Sequence, residues 1–186
     1  MSLQMKYMIV DLEATSAAVS GISEIIEFGY AIVEDGDIIE RGTSFVKPVY
    51  SSLDYFIEEL TSISDADLEN APTFEEFLTG FASKYYLEDY IFVSWGAYDY
   101  NMIEQMCNLW DIEYPPYVGF MNLKREHKMF YGFTKERGMA KALRHANIEL
   151  EGTHHRGGDD ANNIAKLFID MMIKDWDPAT GNLTQL

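Results

Sequence analysis

The spacing of apolar residues changes period several times along the chain, and the changes mark its elements. Residues 7–12 are apolar apart from Asp11 and predict a buried strand that ends in acids, Asp11 and Glu13. Residues 25–33 predict a second strand. Asp35-Gly36-Asp37 is a turn signal, and residues 38–46 predict a third strand that closes a hairpin. The first three strands therefore form an antiparallel meander. Helical spacing takes over at 53–60, at 64–70 with Ser64 as a candidate cap, and at 73–86. In the last of these Thr73 and Glu76 form a capping-box pattern, and Phe74, Phe77, Leu78 and Phe81 form one stripe. Short strands at 90–93 and 120–123 alternate with helices at 99–110, 124–131, 139–146 and 160–173. The expected fold class is α/β, a central mixed five-stranded sheet with helices on both faces.

A chain of 186 residues fits one domain, here expected over residues 5–175. Met5 is an alternative start, which would leave 1–4 as an artificial scar; 176–186 read as a C-terminal tail. The single cysteine, Cys107, excludes an internal disulfide and multi-thiolate zinc sites, and reads as a packed small hydrophobe. No apolar run approaches the ~18–20 residues of a membrane helix, and the first ten residues lack a signal-peptide pattern. A soluble cytoplasmic protein with no membrane partner is the expectation.

The net charge of −17 argues against broad wrapping of nucleic acid, which needs basic surface. An enzyme that grips a few phosphates remains compatible, provided it brings cations to the task. The charge is uneven. Residues 124–144 hold seven bases (Lys124, Arg125, Lys128, Lys135, Arg137, Lys141, Arg144) and two acids (Glu126, Glu136). A solvated helical surface is the plain reading of that stretch.

Asp11 and Glu13 lie two apart on a strand, so both carboxylates point to one side. A hard divalent cation between them would offset their repulsion; a hydrated strand end is the alternative. Asp99 heads a helix whose Met102, Ile103, Met106 and Trp110 share its face. It reads as an inward acid or as a first-turn aspartate favoured by the helix dipole. In His154-His155-Arg156-Gly157-Gly158-Asp159-Asp160, two histidine–aspartate registers compete, and helix phase separates them. From Asp160 the following positions Ile164, Leu167, Phe168 and Met171 are apolar, whereas from Asp159 they are Asn162, Asn163, Lys166 and Asp170. Asp160 therefore faces inward and Asp159 faces water. The same register favours His155 over His154, and the glycines permit close approach of the chain. Four inward acids with His155 could hold two divalent cations on a phosphodiester, with His155 taking a proton from the attacking water.

These residues resemble the DEDDh 3′–5′ exonucleases, a family of RNase H-like fold. Asp11-Leu12-Glu13-Ala14-Thr15 is similar to its first motif, Trp95-Gly96-Ala97-Tyr98-Asp99 to the second, and His155-x4-Asp160 followed by Asn163-Ile164-Ala165 to the third. Glu24-Ile25-Ile26-Glu27-Phe28, Leu60-Thr61-Ser62-Ile63 and Tyr114-Pro115-Pro116 resemble the branch of Eri1-type RNA exonucleases and KapD-like proteins. The resemblance runs from about residue 6 to 173. It implies metal ligands at Asp11, Glu13, Asp99 and Asp160 for two Mg²⁺ (or Mn²⁺), and His155 as general base. It implies release of nucleoside 5′-monophosphates from the 3′ end of single-stranded nucleic acid, RNA favoured over DNA. Backbone at Ala14 and Thr15, with Ile63, Tyr98 and Met102, would hold the terminal nucleotide. Most of the branch carries Gly where Ser62 stands.

Two other classes compete: a non-catalytic nucleic-acid binder on the same fold, and a metal-dependent hydrolase of small phosphates. The second would need more histidine ligands, and His127 and His145 both read as surface residues. Trp95 reads as packing beneath the site rather than as its wall.

Overall fold

The computed structural model describes residues 5–184, so the expected scar at 1–4 lies outside it. Six strands form one sheet in the order β3-β2-β1-β4-β5-β6. They are β1 (Lys6–Ala14), β2 (Ile25–Glu34), β3 (Asp37–Phe45), β4 (Tyr90–Ser94), β5 (Gly119–Asn122) and β6 (Leu183–Thr184). Strands β1 to β3 form the expected antiparallel meander, and β4 and β5 run parallel to β1. Asp35 and Gly36 both have positive φ (55° and 81°), the pairing a tight two-residue hairpin requires.

The sixth strand corrects the expected count of five. It is two residues long and antiparallel to β5, too short to carry a readable period. Its presence also changes the reading of 176–186 as a tail. Trp176 is buried against Phe168, and the described part of the segment returns to the edge of the sheet. Residues 185–186 lie outside the described part.

Among the described residues eight α-helices accompany the sheet: α1 (Ala17–Ser20), α2 (Tyr55–Thr61), α3 (Asp65–Leu68), α4 (Phe74–Lys84), α5 (Tyr98–Trp110), α6 (Leu123–Phe130), α7 (Met139–Ala146) and α8 (Gly157–Ile173). The Thr73–Glu76 capping box opens α4 as expected. Strand alternation divides the core into two layers. Met8, Val10 and Leu12 of β1 face α4 and α5, packing with Phe77, Phe81, Met102 and Met106. Tyr7 and Ile9 face the other way, toward α7 and α8, packing with Leu143, Ile164 and Phe168. The first layer stacks Phe28, Phe77 and Phe81 at centroid separations of 4.9–5.4 Å.

Helix α2 closes with Ser62 in the left-handed region, at φ 59°. Only glycine adopts that conformation freely, which gives a backbone reason for glycine at this position in the related branch.

Candidate active site

Alternation along β1 puts Asp11 and Glu13 on the face that carries Tyr7 and Ile9, the face covered by α8. Asp11 pairs across the sheet with Gly29. A Cβ on Gly29 would sit 1.8 Å from the carbonyl carbon of Gly157, and a Cβ on Gly157 would sit 2.8 Å from the Asp11 carbonyl oxygen. Glycine on both sides is thus what lets the first turn of α8 lie directly on the sheet. The helix starts three residues earlier than apolar spacing indicates, because those residues are chosen for contact with backbone. This contact delivers Asp160, 3 % exposed, to the strand acids. Carboxylate oxygens of Asp11, Glu13 and Asp160 all lie within 4.8 Å of one another.

Asp99 arrives from the opposite layer, in the first turn of α5. It is buried, and its Oδ1 accepts the Leu12 N–H at 2.9 Å, which ties the helix head to β1 between the two strand acids. His155 stands at φ 66°, a left-handed conformation that costs a non-glycine residue energy and recurs at functional sites. Its N–H donates to Asp160 Oδ2 at 2.8 Å. The two histidine rings stack at 3.9 Å. His154 is exposed, but it is not a bystander: its Nδ1 lies 2.9 Å from Asp160 Oδ2. Asp159 is more than a solvated charge too. Its carboxylate accepts the Thr153 N–H at 2.8 Å and pins the loop that carries both histidines.

Two buried acids behind the site were visible in sequence only as parts of longer motifs. Glu27 lies opposite Glu13 in the sheet register. It accepts hydrogen bonds from Thr43 Oγ1 (2.8 Å), Gly157 N–H (3.0 Å) and Arg156 Nε (3.2 Å), so it anchors α8 at its N-terminus. Glu24 accepts the N–H groups of Val49, Tyr50 and Ser51, the last at 2.6 Å, and holds that loop against the end of β1. An acid at each end of an apolar pair, as in 24–27, was the available signal.

Burial dominates the electrostatics. It pushes the Asp11 carboxyl well above the usual range, with Asp99, Asp160 and Glu13 adding repulsion. Glu13 is pushed up to about 8, by burial and then by Asp160 and Glu27. Asp99 is raised to about 7 by burial, against the opposing hydrogen bond from Leu12. Asp160 is raised by burial despite its bonds to His155 and His154. Burial and the neighbouring His154 lower His155, which keeps its ring neutral near pH 7. Carboxylates forced together at this cost, with no lysine or arginine ion pair to Asp11, Glu13, Asp99 or Asp160 among the described residues, are a donor set suited to a hard divalent cation.

These groups line a cleft of about 340 Å³ whose walls include Trp95, Tyr98, Gly138 and Met139. Trp95 does form a wall, and its Nε1 donates to the Arg137 carbonyl at 3.0 Å. Of the expected nucleotide-holding side chains, Tyr98 is at the cleft and 56 % exposed. Ile63 is not: it is buried against Ile26, Ile57 and Leu68 in a separate cluster. Met102 belongs to the core beneath α5, and Ala14 and Thr15 are buried. The Thr15 N–H donates to the Glu24 carbonyl and its Oγ1 meets Ser51 Oγ at 2.7 Å, so this backbone is committed to the fold. Apolar type beside a motif did not distinguish a cleft wall from the core behind it. His127 corrects the surface expectation in the same way. It is buried beneath Trp95, with both ring nitrogens unpartnered, whereas His145 is exposed as expected.

The profile of the RNase_T family, described as Exonuclease, matches residues 8–168. The chain belongs to the RNase_T exonuclease family. Membership bears out the DEDDh 3′–5′ exonuclease resemblance read from the three motifs, and the chain is an exonuclease of that type acting on nucleic acid. The probable 3′–5′ exonuclease KapD of Bacillus subtilis is 27 % identical over 146 residues, covering 78 % of this chain and 71 % of that protein. An uncharacterised exonuclease domain-containing protein of Arabidopsis thaliana is 30 % identical over 188 residues, 89 % of this chain; this chain spans about half (53 %) of its length. In structure, the nuclease domain of 3′hExo, a DEDDh family member solved bound to rAMP, superposes with a TM-score of 0.87 over 99 % of this chain and 98 % of that one, at 23 % identity. That likeness establishes the RNase H-like fold. Among the described residues no helix is long and apolar enough to cross a membrane.

Proposed function

We propose that this exonuclease removes nucleoside 5′-monophosphates one at a time from the 3′ end of single-stranded RNA, with Asp11, Glu13, Asp99 and Asp160 holding two Mg²⁺ or Mn²⁺ ions. The convergence of the Asp11, Glu13 and Asp160 oxygens within 4.8 Å, beside His155 in an open cleft, carries this reading. When bound, the divalent ions supply Lewis acidity and positive charge at the scissile phosphate. The chain supplies the rest. His155, kept neutral by burial and by His154, accepts the proton of the attacking water. The Asp160 carboxylate accepts the His155 N–H and so fixes the loop that carries the base. Tyr98, exposed at the rim, offers its ring to the terminal base. RNA is preferred in this reading because of the branch motifs and because the neighbouring 3′hExo domain was solved with a ribonucleotide.

The test is a gel of a 5′-labelled single-stranded RNA incubated with protein and Mg²⁺ or Mn²⁺, beside EDTA and Asp160→Asn controls. A ladder shortening by single nucleotides, absent from both controls, is expected. An intact strand with folded, metal-supplied protein would refute the RNA reading, and a parallel single-stranded DNA lane would then carry the preference.

A further inference from the structure

Half of the chain's 14 basic residues lie in 124–144, and the structure treats them differently from five of the other seven. Outside the stretch, Arg41, Lys84, Arg156, Lys166 and Lys174 each meet a carboxylate in an ion pair. Among the described residues, no base within the stretch does, although the chain has 31 acids to draw on. One of the two acids in the stretch is turned away: Glu126 is 4 % exposed and accepts the Asn182 N–H and side-chain amide at 3.2 and 2.9 Å. Glu136 alone of the two faces out. The outer surface of α6, α7 and the loop between them therefore carries seven uncompensated cations against one acid.

This surface joins the cleft. Gly138 and Met139, at the end of the loop, are part of the cleft wall. The Trp95 ring fastens the loop there through the Arg137 carbonyl. The Arg137 guanidinium lies 3.5 Å over the Phe133 ring, which holds its charge in place. Lys124 runs its aliphatic chain beside Gly96 of the second motif, with Cδ 4.0 Å from where a Cβ would sit. Lys135 and Lys141 are exposed further along.

We propose that the α6–α7 arm is the track for the sugar-phosphate backbone of the substrate strand on the 5′ side of its terminal nucleotide. The proposal rests on the exonuclease reading of the cleft. A body of net charge −17 disfavours the approach of a polyanion except where cations are concentrated. A strip of unpaired cations that begins at the cleft rim is the route along which a strand gains from counterion release. Backbone contacts of this kind carry no sequence information, which suits an enzyme that must advance past every base.

The test measures binding of three- and fifteen-nucleotide 5′-labelled RNAs by fluorescence anisotropy across a salt series with Mg²⁺, all in an Asp160→Asn background. The arm variant is Lys135→Glu/Lys141→Glu. The control is Lys6→Glu/Lys84→Glu, which changes the charge equally but has Lys6 at the far end of β1 from the site. The arm variant is expected to bind the long RNA about ten-fold more weakly at low salt, and its salt slope to flatten by ~1.4, two phosphate contacts at about 0.7 each. The short RNA should change by less than about two-fold. Equal losses for both lengths, or equal losses for arm and control variants, would overturn the track. Continued shortening of the strand in the Asp160→Asn background would instead refute the reading of the cleft and leave the charge comparison standing.

Discussion

Replacing Glu13 with Gln should convert the electrostatic cost of the site into a measurable stability difference. Glu13 titrates at about 8 in the folded chain, against an ordinary 4.5. Below pH 4.5 the carboxyl is protonated in both folded and unfolded chains, so Glu and Gln are equivalent. Between pH 4.5 and 8 the unfolded chain releases its proton while the folded chain keeps it, and wild-type stability falls across that window. Above pH 8 the difference is constant. The full separation corresponds to about 5 kcal/mol. Glu13 opens partly to the cleft and its neighbours share the titration, so water and protonation of Asp11 or Asp160 reduce this to about 1–3 kcal/mol. Urea unfolding in EDTA, followed by circular dichroism from pH 5.5 to 8.5, reads the difference. The advantage of Glu13→Gln should grow from pH 5.5 to about 8 and then level off. Saturating Mg²⁺ should then reverse the order at pH 8, because wild type gains about 2.7 kcal/mol at a hundred-fold excess over Kd and the variant gains little. A stability difference that does not change with pH in EDTA would refute the account.

Asp160→Asn should abolish turnover of labelled RNA while leaving the circular dichroism spectrum unchanged, since the amide oxygen still accepts from His155 and one like charge is removed. Asp159→Asn should retain most activity in the same assay, because its remaining oxygen can still accept the Thr153 N–H; an equally dead Asp159→Asn would reverse the helix register. Gly29→Ala forces a methyl to 1.8 Å from Gly157 backbone, so it should cost more than about 3 kcal/mol in urea unfolding and depress activity by displacing α8. Ser62→Gly relieves about 1–2 kcal/mol of left-handed strain and adds about 0.5–1 kcal/mol of chain entropy, for a net gain of about 0.5–1 kcal/mol by the same measurement.

The acids gathered at the cleft were legible in sequence because each sits where two periods meet. Asp11 and Glu13 interrupt a strand, and Asp160 shares a phase with Ile164, Leu167 and Phe168, which makes its inward direction a property of helix geometry. Contacts between backbones were not legible. The early start of α8, the crossing of Gly29 with Gly157 and the sixth strand all depend on segments far apart in sequence, and they leave no periodic trace. Buried polar residues were the other blind spot. His127 read as a surface residue because its side chain is polar, and Glu24 and Glu27 stood out only as parts of a motif. Glu24 and Glu27 are inside because they satisfy backbone N–H groups that the fold would otherwise bury unpaired. Ile63 and Met102 are the converse, apolar residues near a motif that pack into core clusters: such a residue has two surfaces to face, and spacing alone does not choose between them.

The division of the core into two layers explains why the site forms where it does. Strand alternation sends Asp11 and Glu13 toward α8, while Asp99 belongs to a helix on the opposite face. Side chains from opposite faces of a sheet can meet only where the sheet ends. Here that is the carboxyl end of β1 beside its parallel neighbour β4, and the Leu12 N–H bonded to Asp99 marks the seam. Bringing the acids together there required glycine at the β2–α8 crossing and the Glu27–Arg156 pair behind it, both of which fix α8 against carboxylate repulsion. The scaffold is therefore built to hold a charge arrangement that the metal-free chain resists. A scaffold of that kind suits a divalent cation, and any substitution that lets α8 drift should lower metal affinity before it lowers fold stability.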